Sequence, residues 1–110
     1  MPMNETYSLS APSRDEVNGL DGYTLLEFGT AWCGHCRLAQ PLLSNAMAER
    51  DLRHLKIEDG PGRPLGRSFR VKLWPTLILM RQGEEVGRVV RPTDMQVIKQ
   101  LLSQADGATG

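Results

Sequence analysis

The stretch GTAWCGHCRLAQP, Gly29 to Pro41, holds both cysteines of a 110-residue chain, with only Gly34 and His35 between them. As a structural staple this pair is weak. A disulfide restricts the unfolded chain more when it closes a long loop, and closing a four-residue segment contributes only about 2 kcal/mol. A structural zinc or iron–sulfur site usually takes four protein ligands, whereas the chain has no second cysteine pair and only two histidines, His35 and His54. His35 lies inside the pair, where chelation by all three side chains together is cramped. Reversible dithiol chemistry fits the spacing better.

The flanking residues supply a mechanism for it. YTLLEF, Tyr23 to Phe28, is apolar and aromatic and reads as a buried strand, while the run from Gly34 to Arg50 reads as a helix. Cys33 then falls at the strand-to-helix corner, where unpaired backbone N–H groups and the positive end of the helix dipole stabilise a thiolate. Cys36 follows one turn later on the same side and more deeply placed. It is positioned to attack a mixed disulfide formed at Cys33.

Composition points to one domain spanning 1–110, with about 6–104 ordered and frayed ends at 1–5 and 105–110. At 12.2 kDa and 40% hydrophobic residues, the chain buries a core without a disulfide framework. Its 13 basic and 13 acidic residues balance and intermix, which argues against a nucleic-acid partner. The opening MPMNETYSLSAPSRDEV lacks a signal-peptide core, and no apolar run reaches membrane-spanning length. With Met1 as the native start the expected location is cytoplasmic; removal of a signal peptide would make it periplasmic or secreted.

Strand and helix signals alternate without repeats. They predict a short strand at Thr6–Leu9, a short helix over Pro12–Leu20 with Ser13 near its N-cap, the strand Tyr23–Phe28, and the helix from Gly34. Leu38, Leu42, Leu43, Ala46 and Met47 form that helix's core stripe, and Pro41 kinks it. A strand at Arg53–Ile57 precedes the connection EDGPGRPLG, Glu58 to Gly66, with a helical piece through Phe69. TLILM, Thr76 to Met80, and VGRVV, Val86 to Val90, pair across a QGEE turn. A final helix starts after Thr93 as N-cap and runs towards Ser103, burying Val97, Ile98, Leu101 and Leu102.

Strand–helix units followed by a hairpin and a closing helix predict an α/β fold, a central mixed sheet of four to five strands with helices on both faces. From about Tyr7 to Gln104 the chain resembles the thioredoxin family. The resemblance rests on WCGHC, Trp32 to Cys36; Pro41 five residues after the second cysteine; WPT, Trp74 to Thr76; and QGEEVGRVV after the following strand. It implies a cis Pro75 packed against the cysteine pair, with the Trp74 backbone free to pair with an extended substrate. Trp32 and Trp74 would flank the dithiol as an apolar docking surface, although core packing of Trp32 is equally compatible. Thr76 and Arg91 join this substrate-binding set; Arg91 and the bulky Leu73–Trp74 stand where the family usually has smaller residues.

The residues between the cysteines, Gly34 and His35, tune the potential, and CGHC looks like the motif of protein disulfide isomerase. A cationic His35 would stabilise the thiolate and make the disulfide more oxidising. Glu27 stands where the resemblance places a buried carboxylate that assists the resolving cysteine. As an isolated strand residue it reads as solvated; flanked by Leu26 and Phe28 it also reads as buried, with a raised pKa, and able to act as base for Cys36 directly or through water. His54 is either its basic partner or an ordinary imidazole.

The combined expectation is a monomeric thiol-disulfide oxidoreductase without cofactor or metal, acting on disulfide-containing proteins. A thioredoxin reductase or glutathione system would re-reduce it, and neither nucleic acid nor membrane is a partner. The rivals are an oxidase or isomerase of an oxidising compartment and a non-enzymatic binding module with redox sensing.

Overall fold

The computed structural model describes residues 3, 6–8, 10–48 and 50–105. Its elements are α1 (Arg14–Asn18), β1 (Tyr23–Gly29), α2 (Gly34–Met47), β2 (Arg53–Glu58), α3 (Pro64–Ser68), β3 (Thr76–Arg81), β4 (Glu84–Val90) and α4 (Met95–Ser103). The sheet order is β2-β1-β3-β4, with β1 parallel to β2 and antiparallel to β3, and β3 antiparallel to β4. A parallel β1–β2 pair requires a crossover, and α2 supplies it.

Side-chain alternation along β1 sorts the core into two layers. Leu25 joins Leu77 and Leu79 against Leu43, Ala46 and Met47 of α2 and Ile98, Leu101 and Leu102 of α4. Leu26 and Phe28 face the other way, with Ile57, Ile78 and Met80, against Val17 of α1 and Leu65 of α3. Both faces of the central strands are therefore covered, as expected. Every residue of β1 after Tyr23 is buried, which fits a strand flanked by sheet neighbours and helices on both sides.

Several boundaries differ from the sequence reading. Of the expected strand at Thr6–Leu9 a parallel bridge, Ser8 to Ile57, is present, and the sheet has four strands among the described residues; Leu9 lies outside them. Ser8 keeps two ladder bonds, its N–H to the Lys56 carbonyl at 2.7 Å and its carbonyl to the Glu58 N–H at 3.2 Å, while its hydroxyl bonds the Ser10 carbonyl at 3.0 Å. In α2 the buried stripe is Cys36, Ala39, Leu43, Ala46 and Met47, whereas Leu38 is 75% exposed. Leu38 precedes Ala39 by one residue, about 100° around the helix, and falls off the core face. The helix continues through Pro41 and ends at Met47, short of Arg50. The N-cap of α4 is Asp94, whose Oδ1 accepts the Val97 N–H at 3.1 Å, rather than Thr93. Ser13 caps α1 with a full capping box, as its sequence indicated. Gln82 and Gly83, both at positive φ, make the two-residue turn of the β3–β4 hairpin. Of the ends expected to fray, 106–110 and most of 1–5 lie outside the described residues.

Candidate active site

The β1-to-α2 corner places Cys33 at the N-cap of α2, with its Sγ accepting the Cys36 backbone N–H at 3.3 Å. An N-cap side chain that accepts a first-turn N–H satisfies a donor the helix cannot, and that donor is well placed to stabilise negative charge. Cys33 is 9% exposed and Cys36 1%, so the two thiols differ in access. Burial pushes the Cys36 thiol up to about 11; a hydrogen bond with Cys33 adds to this, while the Thr30 backbone and the Tyr7 hydroxyl oppose it. Gly34 and His35 are both exposed, and a Cβ at Gly34 would meet open space.

Beneath this corner lies a buried polar layer. Alternation along RHLKIE sends Leu55 and Ile57 to the α1/α3 face and His54 and Lys56 under α2, and the parallel register sets Glu27 opposite Lys56. Glu27 is fully buried. Its Oε1 lies 2.9 Å from His54 Nε2, and its Oε2 accepts from Gln40 Nε2 at 2.8 Å and the Tyr7 hydroxyl at 3.1 Å. Lys56 Nζ donates to Gln40 Oε1 at 2.6 Å, and Gln40 Nε2 also reaches the Cys36 carbonyl at 3.1 Å. Burial raises the Glu27 pKa, but the His54 hydrogen bond, the Lys56 charge and the Gln40 amide outweigh it and hold the carboxyl below its ordinary value. The expected burial is therefore present and the expected raised pKa is not: three partners supply more stabilisation of the anion than burial removes.

Tyr7 links this layer to the thiols, a role its sequence position did not suggest. A Cβ built on Gly29 would lie 2.5 Å from Cys36 Sγ and 2.8 Å from Tyr7 Oη, so both atoms converge on the space that the missing side chain leaves. Burial and the neighbouring Glu27 carboxylate push the Tyr7 phenol up, keeping it protonated.

On the opposite side, the Trp74–Pro75 peptide is cis. The Trp74 ring meets Trp32 edge-on, with centroids 5.7 Å apart, and its Nε1–H donates to Asp59 Oδ2 at 2.8 Å. Trp32, the chain neighbour of Cys33, is 71% exposed, which decides against its core packing, and Leu73, the chain neighbour of Trp74, is also exposed. One expectation for this loop changes. Thr76 is buried and its hydroxyl donates to the Leu73 carbonyl at 2.6 Å, so it braces the loop instead of facing a substrate. The Trp74 carbonyl accepts from Arg91 Nε at 2.9 Å, which occupies one of its two lone pairs, while the Arg91 N–H bonds the Pro75 carbonyl at 2.9 Å.

Comparison with known proteins gives a consistent result. The family model described as thioredoxin matches residues 10–104. A solved structure of thioredoxin 2 from Pseudomonas aeruginosa in its reduced form is 53% identical, covers 96% of this chain and 99% of its own, and superposes with a TM-score of 0.86. A mutant thioredoxin from Halobacterium salinarum is 26% identical, covers 93% of this chain and 89% of its own, and has a TM-score of 0.72. Among curated sequences, thioredoxin of Chlamydia pneumoniae is 37% identical over 87 residues, 76% of this chain and 82% of that protein.

Proposed function

The chain belongs to the thioredoxin family and is a thiol-disulfide oxidoreductase with a CXXC pair; from that premise we propose that it reduces protein disulfides, with Cys33 attacking and Cys36 resolving. The observation that carries the assignment of roles is the asymmetry of the pair: Cys33 caps the helix at its edge, whereas Cys36 is buried with a raised pKa. The Cys33 thiolate attacks one substrate sulfur, the substrate S–S bond breaks, and the other sulfur leaves with the electron pair and takes a proton. Cys36, on losing its proton, attacks Cys33 Sγ and expels the second substrate thiolate, leaving a Cys33–Cys36 disulfide. A cytoplasmic reductant of the thioredoxin reductase or glutathione class would restore the dithiol of the monomer. Trp32, Trp74, Pro75 and Arg91 form the docking rim, and no bound cofactor enters the cycle.

The exposed His35, which makes no side-chain hydrogen bond or ion pair among the described residues, carries the second reading, an oxidase or isomerase. A charge in water is screened, so its influence on the thiolate is modest. Equilibration against graded glutathione buffers, followed by tryptophan fluorescence and thiol trapping, is expected to give a potential at or below about −220 mV, the upper end of the extracted cytosolic glutathione poise. A value near −180 mV, in the protein disulfide isomerase range, would transfer the assignment to oxidation or isomerisation.

Glu27 is a transient proton acceptor in this scheme, reached through Tyr7: the partners that hold its carboxyl low make it a weak base for a thiol near 11, so the transfer is uphill and completes only as the Cys36 sulfur bonds Cys33. The single Tyr7 hydroxyl proton points to Glu27 Oε2, leaving oxygen lone pairs for the Cys36 S–H. As Cys36 gives its proton to Tyr7 Oη, Tyr7 gives its own to Glu27, and the thiolate forms without ionising the phenol. Tyr7→Phe retains the ring and removes the relay. It is expected to slow release of a chromogenic thiol from Cys33 about tenfold at pH 7, less than loss of Glu27 itself because a water in the space of the hydroxyl can carry the proton to the carboxylate, with the deficit shrinking as pH approaches 11 and hydroxide serves instead. An unchanged rate at pH 7 would remove Tyr7 from the path.

A further inference from the structure

Charge is balanced over the whole chain but not around the groove. Behind Trp74 lies a cleft of about 550 Å³ lined by Arg63, Arg67, Arg70 and Lys72, with Asp59 as its acidic member. That volume is within the range of ligand-binding clefts, about 300–1,000 Å³. Asp59 is engaged by the Trp74 indole at 2.8 Å, and Arg63 pairs with Glu58 at 2.7 Å. Arg67, Arg70 and Lys72 are exposed and have no side-chain hydrogen bond or ion pair among the described residues. The cleft adjoins the dithiol through one residue, since Trp74 lines it and also meets Trp32, the neighbour of Cys33.

Backbone conformation gives a second, independent indication. Arg70 and Arg91 both adopt positive φ, 58° and 49°, where glycine is the unstrained choice. Arginine at both positions therefore forgoes backbone ease, and the property it adds over glycine is a long cationic side chain on the docking side of the molecule. The Arg91 guanidinium lies on the Trp74 carbonyl, at the other end of the same loop.

We propose that this cleft docks an acidic polypeptide segment flanking the disulfide of the substrate protein, with the apolar Trp32–Trp74 surface receiving the residues next to the disulfide. The inference rests on the reading of Cys33 and Trp74 as the substrate groove. Opposite charge across such a contact acts mainly on encounter rate and partner choice, so kcat/KM is the quantity to read.

The test compares reduction of two peptides that share one disulfide core, one carrying a Glu/Asp flank and the other a Gln/Asn flank, alongside a small neutral disulfide. The expected result is at least a tenfold preference in kcat/KM for the acidic peptide at low ionic strength, falling towards unity at high salt. In an Arg67→Gln, Arg70→Gly, Lys72→Gln variant the same ratio should approach one. Because the ratio is taken within one preparation, it is insensitive to the fraction of active protein. Equal rates for the two peptides, or a preference that persists in the variant, would overturn the proposal. So would an equal preference for oxidised glutathione over the small neutral disulfide, which would make the cleft a small-anion site. Failure to reduce even the small neutral disulfide would instead count against the underlying reductase reading.

Discussion

A Cys36→Ser protein is expected to react with a disulfide once and stop, with Cys33 held in a stable mixed disulfide, while Cys33→Ser forms no adduct. The difference follows from placement. Cys33 sits at the N-cap with a backbone N–H on its sulfur, so the first attack needs nothing from Cys36 except its main chain, which serine retains. Resolution needs a second sulfur nucleophile one turn along, and serine's hydroxyl cannot perform thiol–disulfide exchange under these conditions. Turnover should fall by orders of magnitude in both variants, yet only Cys36→Ser should retain a covalent substrate on a non-reducing gel. If Cys33→Ser also trapped substrate, through Cys36, the assigned order of attack would be reversed. Burial of Cys36 at 1% exposure argues against that outcome.

The corner carrying the dithiol was legible because its cues are local. The switch from a buried strand to helical spacing across Gly29–Gly34, the two-residue cysteine gap, and the X-Pro-Thr opening β3 each lie within a few residues. Leu38 was misread because apolar character alone does not define a face: the phase of α2 is set by Ala39 and Leu43, and Leu38 is rotated out of it. Thr76 departs from its reading for a different reason. Its partner, the Leu73 carbonyl, is a backbone group that only the folded loop brings to its hydroxyl.

The buried polar layer was the least legible part. Glu27, His54, Gln40, Lys56 and Tyr7 come from two strands, a helix and the segment before α1, and no sequence period connects them. A partial signal existed in HLKI, where His54 and Lys56 alternate with Leu55 and Ile57 on what becomes the neighbour of β1. Two cationic-type residues on one face of a strand whose other face is apolar imply a buried anion nearby, and Glu27 is the acidic residue of the neighbouring strand β1. Tyr7 had no comparable signal, because its importance depends on the absence of a side chain at Gly29.

Glu27 is where stability and catalysis meet, and its substitutions should separate them. Glu27→Ala removes the anion that His54 and Gln40 contact and that Lys56 faces, leaving buried polar groups unsatisfied. Breaking a buried ion-paired arrangement from one side costs about 3–5 kcal/mol, a large fraction of the roughly 5–15 kcal/mol typical of a domain. Glu27→Gln keeps volume and hydrogen-bonding atoms and should cost less, which makes it the variant for kinetics. In the native chain the Glu27 pKa is held below the ordinary glutamate value of 4.5. The carboxylate therefore contributes stability that is fully present above 4.5 and is lost as pH falls through the lower folded value. Urea titrations should show the gap between native protein and Glu27→Gln narrowing only below pH 4.5. Kinetically, a Cys36 thiol at about 11 leaves about one molecule in ten thousand as thiolate at pH 7, so removing its proton acceptor should slow mixed-disulfide release by about a hundredfold. The rate in Glu27→Gln should then climb with pH towards 11, while the native rate stays flatter. A variant that loses stability yet releases substrate at the native rate would confine Glu27 to holding β1, β2 and α2 together.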